Sequence, residues 1–148
     1  MNNFWKKTLV SSVLAGCVLA APVAACGTPA QSKVLTEVRG VQLGMKQADV
    51  HAKLGQPASG SASADEYKLE GDDLMTVRYA DGAVVAIQLL IFDAKNAPAF
   101  NQVVGDAEIE QQESGRKIAR KVVEAEKYWV SMAQSKDGSM TNITIRKM

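Results

Sequence analysis

From residue 34 onward the apolar positions fall into short runs of different spacing, and each spacing predicts an element. Val50 and Leu54 stand four apart between Gly44 and Pro57, which places both on one face of a short helix over about 46–54. Gly55 can take the left-handed conformation that closes a helix, and Pro57 cannot extend one. The start of this helix is unusual, because Lys46 sits where Ser, Thr or Asp would cap the first free N–H groups. Ahead of it, Val34 to Val41 reads either as a first strand or as a frayed helix. Behind it, residues 58–64 are small and polar and form a loop.

A change to period two marks the next region. Tyr67 to Glu70 leads into a turn at Gly71-Asp72-Asp73, and Leu74 to Tyr79 puts Met75, Val77 and Tyr79 on one face of a strand. Ala80-Asp81-Gly82 is a hairpin turn, since Asp-Gly readily supplies positive φ angles. Val84 to Phe92 is apolar on both faces: Val85, Ile87, Leu89 and Ile91 on one, Val84, Ala86, Leu90 and Phe92 on the other. It is expected to be the most buried strand and to need cover on both sides, from the second half of the chain or from a partner.

After the break at Asp93 to Pro98, Phe100, Val103 and Val104 have helical spacing and stop at Gly105. Asp106 to Glu113 is acidic. Ile118, Ala119, Val122 and Val123 fall at i, i+1, i+4 and i+5, which predicts a helix over about 116–126. Tyr128, Val130 and Met132 alternate as a strand, Lys136-Asp137-Gly138 turns the chain, and Ile143 and Ile145 share a face of the last strand. The pattern is that of an α+β domain over 34–148, with short helices packed on an antiparallel sheet. Leu54-Gly55 recurs as Val104-Gly105 and Asp81-Gly82 as Asp137-Gly138. Two degenerate helix-plus-meander units and chance recurrence both account for this.

Residues 1–25 have the layout of an export signal: Lys6 and Lys7, then an uncharged and largely apolar run from Thr8 that ends in Val23-Ala24-Ala25. Without Lys6 and Lys7 the chain has fifteen basic and sixteen acidic side chains, and nothing in that balance calls for nucleic acid. With 47% hydrophobic and 22% charged residues in 148, the composition suits one ordinary domain. Both cysteines lie at or before position 26, which excludes a disulfide framework. Val23-Ala24-Ala25-Cys26-Gly27 resembles the lipobox of bacterial lipoproteins, which implies lipidation (palmitate included) at Cys26 and a polar tether over 26–33. Leu14-Ala15-Gly16-Cys17 also matches in letters, but cleavage there would leave the apolar run Val18 to Ala25 at the new N-terminus. Simple signal cleavage after Ala25 is the other reading. By resemblance to lipoprotein sorting rules, Gly27 after the cysteine favours an outer-membrane anchor facing the periplasm.

Candidate chemistry is sparse. His51 is the single histidine and sits at the edge of the buried helix face; alone it cannot build the usual catalytic zinc site. No serine stands in a nucleophile-elbow context, so no catalytic residue, metal site or cofactor is expected. Glu66, Glu70, Asp72 and Asp73 read as a solvated strand edge, because their spacing lacks the alternating oxygen ligands of calcium loops. Arg116, Lys117, Arg120 and Lys121 repeat at i, i+4 and would form one basic helix face, either for a partner or simply solvated. Tyr128 and Trp129 are adjacent and therefore face opposite sides of a strand; whichever is exposed is the candidate interface anchor.

Gly44-Met45, Asp49-Val50, Leu54-Gly55 and Pro57, followed by a small meander with an Asp-Gly hairpin, resemble the SmpA/OmlA superfamily over about residues 38–92. Its members are small outer-membrane lipoproteins, including the E component of the β-barrel assembly machine, and β-lactamase-inhibitor-like domains share the plan. Lys46 departs from the Ser or Thr at the family's helix start, and residues 97–148 have no counterpart in the smallest members. The resemblance implies a non-catalytic, membrane-tethered module of the cell envelope that works through an envelope protein partner. An inhibitor-like domain that blocks a secreted or periplasmic enzyme is the alternative.

Overall fold

The computed structural model describes residues 33–148. The expected export signal, Cys17, Cys26 and the expected tether before Lys33 lie outside the described residues. The described chain opens with a hairpin of β1 (Glu37–Val38) and β2 (Val41–Gln42), turned by Arg39 and Gly40 at positive φ, so the stretch Val34 to Val41 is neither one strand nor a frayed helix but an irregular lead followed by a tight hairpin. Then come α1 (Gln47–Leu54), β3 (Ser59–Gly60), β4 (Ala64–Lys68), β5 (Leu74–Ala80) and β6 (Ala83–Ile91). The second half contributes α2 (Phe100–Val104), β7 (Glu110–Gln111), β8 (Lys117–Val123), a 3-10 turn at Glu124–Glu126, β9 (Tyr128–Gln134) and β10 (Thr141–Lys147).

Strands β3 to β10 form one antiparallel sheet in the order β3-β4-β5-β6-β10-β9-β8-β7. Each half of the chain runs from an outer edge to the middle, where β6 and β10 pair with Leu89 opposite Ile143. The edge strands β3 and β7 are two residues each and pair with only part of β4 (Asp65 and Glu66) and of β8 (Lys117 and Ile118).

Both helices feed one core on one face of this sheet. Val50 of α1 and Val103 and Val104 of α2 are buried with Met75, Val77, Ile87, Val130, Met132, Ile143 and Ile145. Each such side chain contributes about 1.5–3 kcal/mol relative to exposure. The uncapped start of α1 is explained by the same packing. The Gln47 N–H donates to the Gly82 carbonyl at 3.1 Å, and Gly44 and Val84 are bonded through Gly44 N–H to Val84 O at 2.7 Å. The backbone of the β5–β6 turn (Asp81 and Gly82, both at positive φ) thus satisfies the first free N–H of the helix in place of a side-chain cap.

Two expectations are corrected. Residues 117–123 are strand β8, not helix, and pair in full with β9, Ala119 opposite Met132. The spacing that suggested a helix also splits into period-two sets, 118/122 on one face and 119/123 on the other. Seven residues of ladder pairing and β-branched Ile and Val decide between the two. The apolar strand 84–92 is also not covered on both sides. A register shift at Arg78/Tyr79 sets Tyr79 opposite Val84 and Arg78 opposite Ala86, leaving Val85 as an extra residue. Val84 therefore faces the core, Phe92 is exposed, and the second half extends the sheet sideways through β10 instead of covering it.

Candidate binding face

The face of the sheet opposite the core carries in-register rows of polar and mixed side chains. One row runs Arg78, Ala86, Arg146, Trp129, Val122 across β5, β6, β10, β9 and β8. The next runs Thr76, Gln88, Thr144, Ser131, Arg120, and a third Leu74, Leu90, Asn142, Ala133, Ile118. Leu74, Arg78, Arg120, Val122 and Arg146 are exposed and most of the others half-buried. The Arg120 guanidinium lies 4.3 Å from the Trp129 ring centroid, and the Gln88 amide donates to Asn142 Oδ1 at 3.3 Å. Arg78, Val85, Ala86, Gln88, Thr144 and Arg146 border an open hollow of about 340 Å³.

The sequence candidates divide across the sheet. Tyr128 is core, 5% exposed, and burial pushes its hydroxyl pKa up; Trp129 is its half-buried neighbour on the open face. The basic helix face does not exist, because a strand sends alternate side chains to opposite sides. Arg120 joins the open face, whereas Lys117 and Lys121 point to the core side, where Lys121 pairs with Asp106 at 2.8 Å. Arg116 lies exposed in the turn before β8. Arg78, Gln88 and Arg146 were not anticipated, although each alternates with a core residue (Val77, Ile87, Ile145) and so faces outward by period two.

A second polar cluster sits under α1. Asp65 of β4 is 1% exposed and accepts from Tyr79 Oη and His51 Nε2, each at 2.7 Å, and from Gln47 Nε2 at 3.2 Å. Burial would push its carboxyl pKa up, but the hydrogen bonds from Tyr79, His51 and Gln47, with the His51 charge, outweigh it and hold the pKa below the ordinary value. Burial and the bond to Asp65 push the Tyr79 hydroxyl well up in turn. Tyr67 Oη is buried nearby with no hydrogen-bond partner. The acidic set read as a solvated edge missed Asp65, whose signal is that it shares parity with buried Tyr67. Ser61 and Ser63 bond each other and the local backbone, the Ser61 carbonyl also accepts from Gln47 Nε2 at 3.1 Å, and the cluster ties α1 to β4 and β5. Among the described residues no group of His, Cys, Asp and Glu is arranged to hold a metal.

Fold and face together define an α+β protein with a mainly sheet core, helices on one side and a mixed polar and apolar sheet surface on the other. No family model matches the chain, and no curated protein does. Among solved structures, a DUF4309 family protein (YjgB) from Bacillus subtilis is similar over 79% of this chain and 88% of its own, with 14% identity and a TM-score of 0.47. An extracellular protein containing a SCP domain from Bacillus anthracis is similar over 78% of this chain and 48% of its own, with 9% identity and a TM-score of 0.42. Nothing about activity or partners follows from either.

Proposed function

We propose that the protein is a non-catalytic protein-binding or assembly accessory module of the cell envelope, held at the outer membrane by lipid on Cys26 and binding its partner through the open sheet face. The observation that carries this is the face itself: a broad, in-register surface with Trp129 and Arg120 stacked on its β9–β8 side, the residue types that dominate interface hot spots. The export layout and lipobox supply the address. The resemblance to SmpA/OmlA proteins agrees with the order helix, then meander. In the same reading, α1 with β3–β6 and α2 with β7–β10 are degenerate copies of one unit. Their helices end at Gly55 and Gly105, both at positive φ, and their last hairpins turn at Asp81-Gly82 and Asp137-Gly138.

Two measurements test the reading. Intact mass of protein from membranes should show a lipidated chain beginning at Cys26; an unmodified chain beginning there refutes the anchor. A crosslinking pull-down from envelope extract should recover a stoichiometric partner that is lost with Trp129→Ala and kept with His51→Ala. Turnover of an envelope substrate that depends on His51, with no partner recovered, refutes the binding role.

A further inference from the structure

We infer that the open face takes an acidic segment of its partner, with one partner carboxylate seated between Arg78 and Arg146 above Ala86; this rests on the protein-binding reading above. Arg78, Ala86 and Arg146 are consecutive in one row across β5, β6 and β10. With strands about 4.8 Å apart, the two arginine backbones stand about 10 Å from each other, within reach of one shared anion. The residue between them is the small Ala86, 7% exposed, which leaves the floor of the hollow low. Gln88 and Thr144 lie along the adjoining row and add neutral donors. Among the described residues neither guanidinium has an ion-pair partner.

Charge placement identifies the occupant. No Asp or Glu holds an outward in-register position on β5, β6, β10, β9 or β8; the nearest outward carboxylate is Glu66 of β4, opposite Thr76, where it accepts from Ser59 Oγ at 2.9 Å, so the charge between Arg78 and Arg146 has no carboxylate in its own row. The chain's own N-terminal segment cannot neutralise it, since its first carboxylate is Glu37. Arginine's planar fork binds a carboxylate through two parallel bonds, which suits a side chain entering a hollow. A bilayer surface needs only clustered positive charge and draws on Lys as readily as Arg. Here the lysines of β8 point to the other face and the outward cations of the central strands are all Arg, accompanied by Trp129.

The full chain should be titrated with N-acetylated, C-amidated tetraglutamate and, separately, tetraglutamine, following the arginine Nε–H NMR signals. Tetraglutamate should move the Arg78 and Arg146 signals and bind at least about tenfold more tightly than tetraglutamine. Arg78→Gln and Arg146→Gln should each lose about that factor, and Lys121→Gln should lose none. Equal binding of both peptides, equal loss with Lys121→Gln, response only to phosphatidylglycerol vesicles, or self-association abolished by Arg78→Gln would each overturn the assignment. In parallel, a photo-crosslinker at Gln88 reads partner capture. Capture that persists unchanged in Arg78→Gln and Arg146→Gln rejects the carboxylate seat while leaving the binding module standing. Absence of both capture and peptide binding rejects the two together.

Discussion

The two faces of the sheet come from the same strands yet follow different rules. On the covered face, Met75, Val77 and Tyr79 of β5, Tyr128, Val130 and Met132 of β9, and Ile143 and Ile145 of β10 are buried and apolar, and the one buried charge among the described residues, Asp65, is surrounded by donors. On the open face the alternate residues mix Thr, Gln, Ser, Asn and Arg with Trp129, Leu74, Leu90, Ile118 and Val122, and only a few hydrogen bonds join the set. The covered face is constrained by packing and charge satisfaction, so changes there act on stability. The open face contributes little to the core, so what its residues do is available for recognition. Stability and binding should therefore separate by face.

The largest separation should come from Ile87, which is fully buried in the central strand. Ile87→Asp places an unpaired charge in the core and should cost several kcal/mol, enough to unfold the domain. Circular dichroism and thermal melting read this directly, and a variant that melts like the parent would break the comparison at its strongest point.

Asp65→Ala should rank next, at about 2–3 kcal/mol, because it strands the buried Tyr79 Oη and leaves the Gln47 amide only the Ser61 carbonyl. The same carboxylate gives the fold an acid sensitivity. Its folded pKa lies below the ordinary 3.8, so the stability it contributes is complete above about pH 4 and is lost as pH falls through the lower folded value. Urea midpoints measured between pH 7 and pH 2 should drop more steeply in the parent than in Asp65→Ala over that acid window. Gly60→Ala should weaken the same cluster, since a Cβ there would stand 2.5 Å from Asp65 Oδ1.

Smaller effects should come from the surface. Trp129→Ala should lower stability by about 1 kcal/mol through its half-exposed contact with Arg120. Lys121→Ala should change it by no more than about 0.5 kcal/mol, because the pair with Asp106 is solvent-exposed. Both are read from chemical denaturation midpoints.

Much of the covered face was legible in the sequence because it obeys local rules. Met75, Val77 and Tyr79 alternate, Asp81-Gly82 has few conformations to choose from, and Val50 with Leu54 marks a helix ended by Gly55. What was not legible depends on pairings distant in the chain. Residues 117–123 have spacing compatible with helix and strand alike, and only the ladder with β9 selects strand. The bulge at Val85 shifts the facing of the β6 residues before it, which no period in the sequence records. The Asp65 cluster joins Gln47, His51 and Tyr79 from α1 and β5, and the arginine pair joins residues 78 and 146 from strands that meet only in the folded sheet.

The central claim, that the open face and not the helical side meets the partner, is tested most directly by in-cell photo-crosslinking from two exposed or half-exposed positions on opposite sides. Ser131 lies on the open face between Thr144 and Arg120, and Ala48 lies exposed on α1. A stoichiometric crosslinked species should form from position 131, be absent from position 48, and disappear when Trp129→Ala is added. The same species formed from position 48 and not from 131 would contradict the assignment of the binding face.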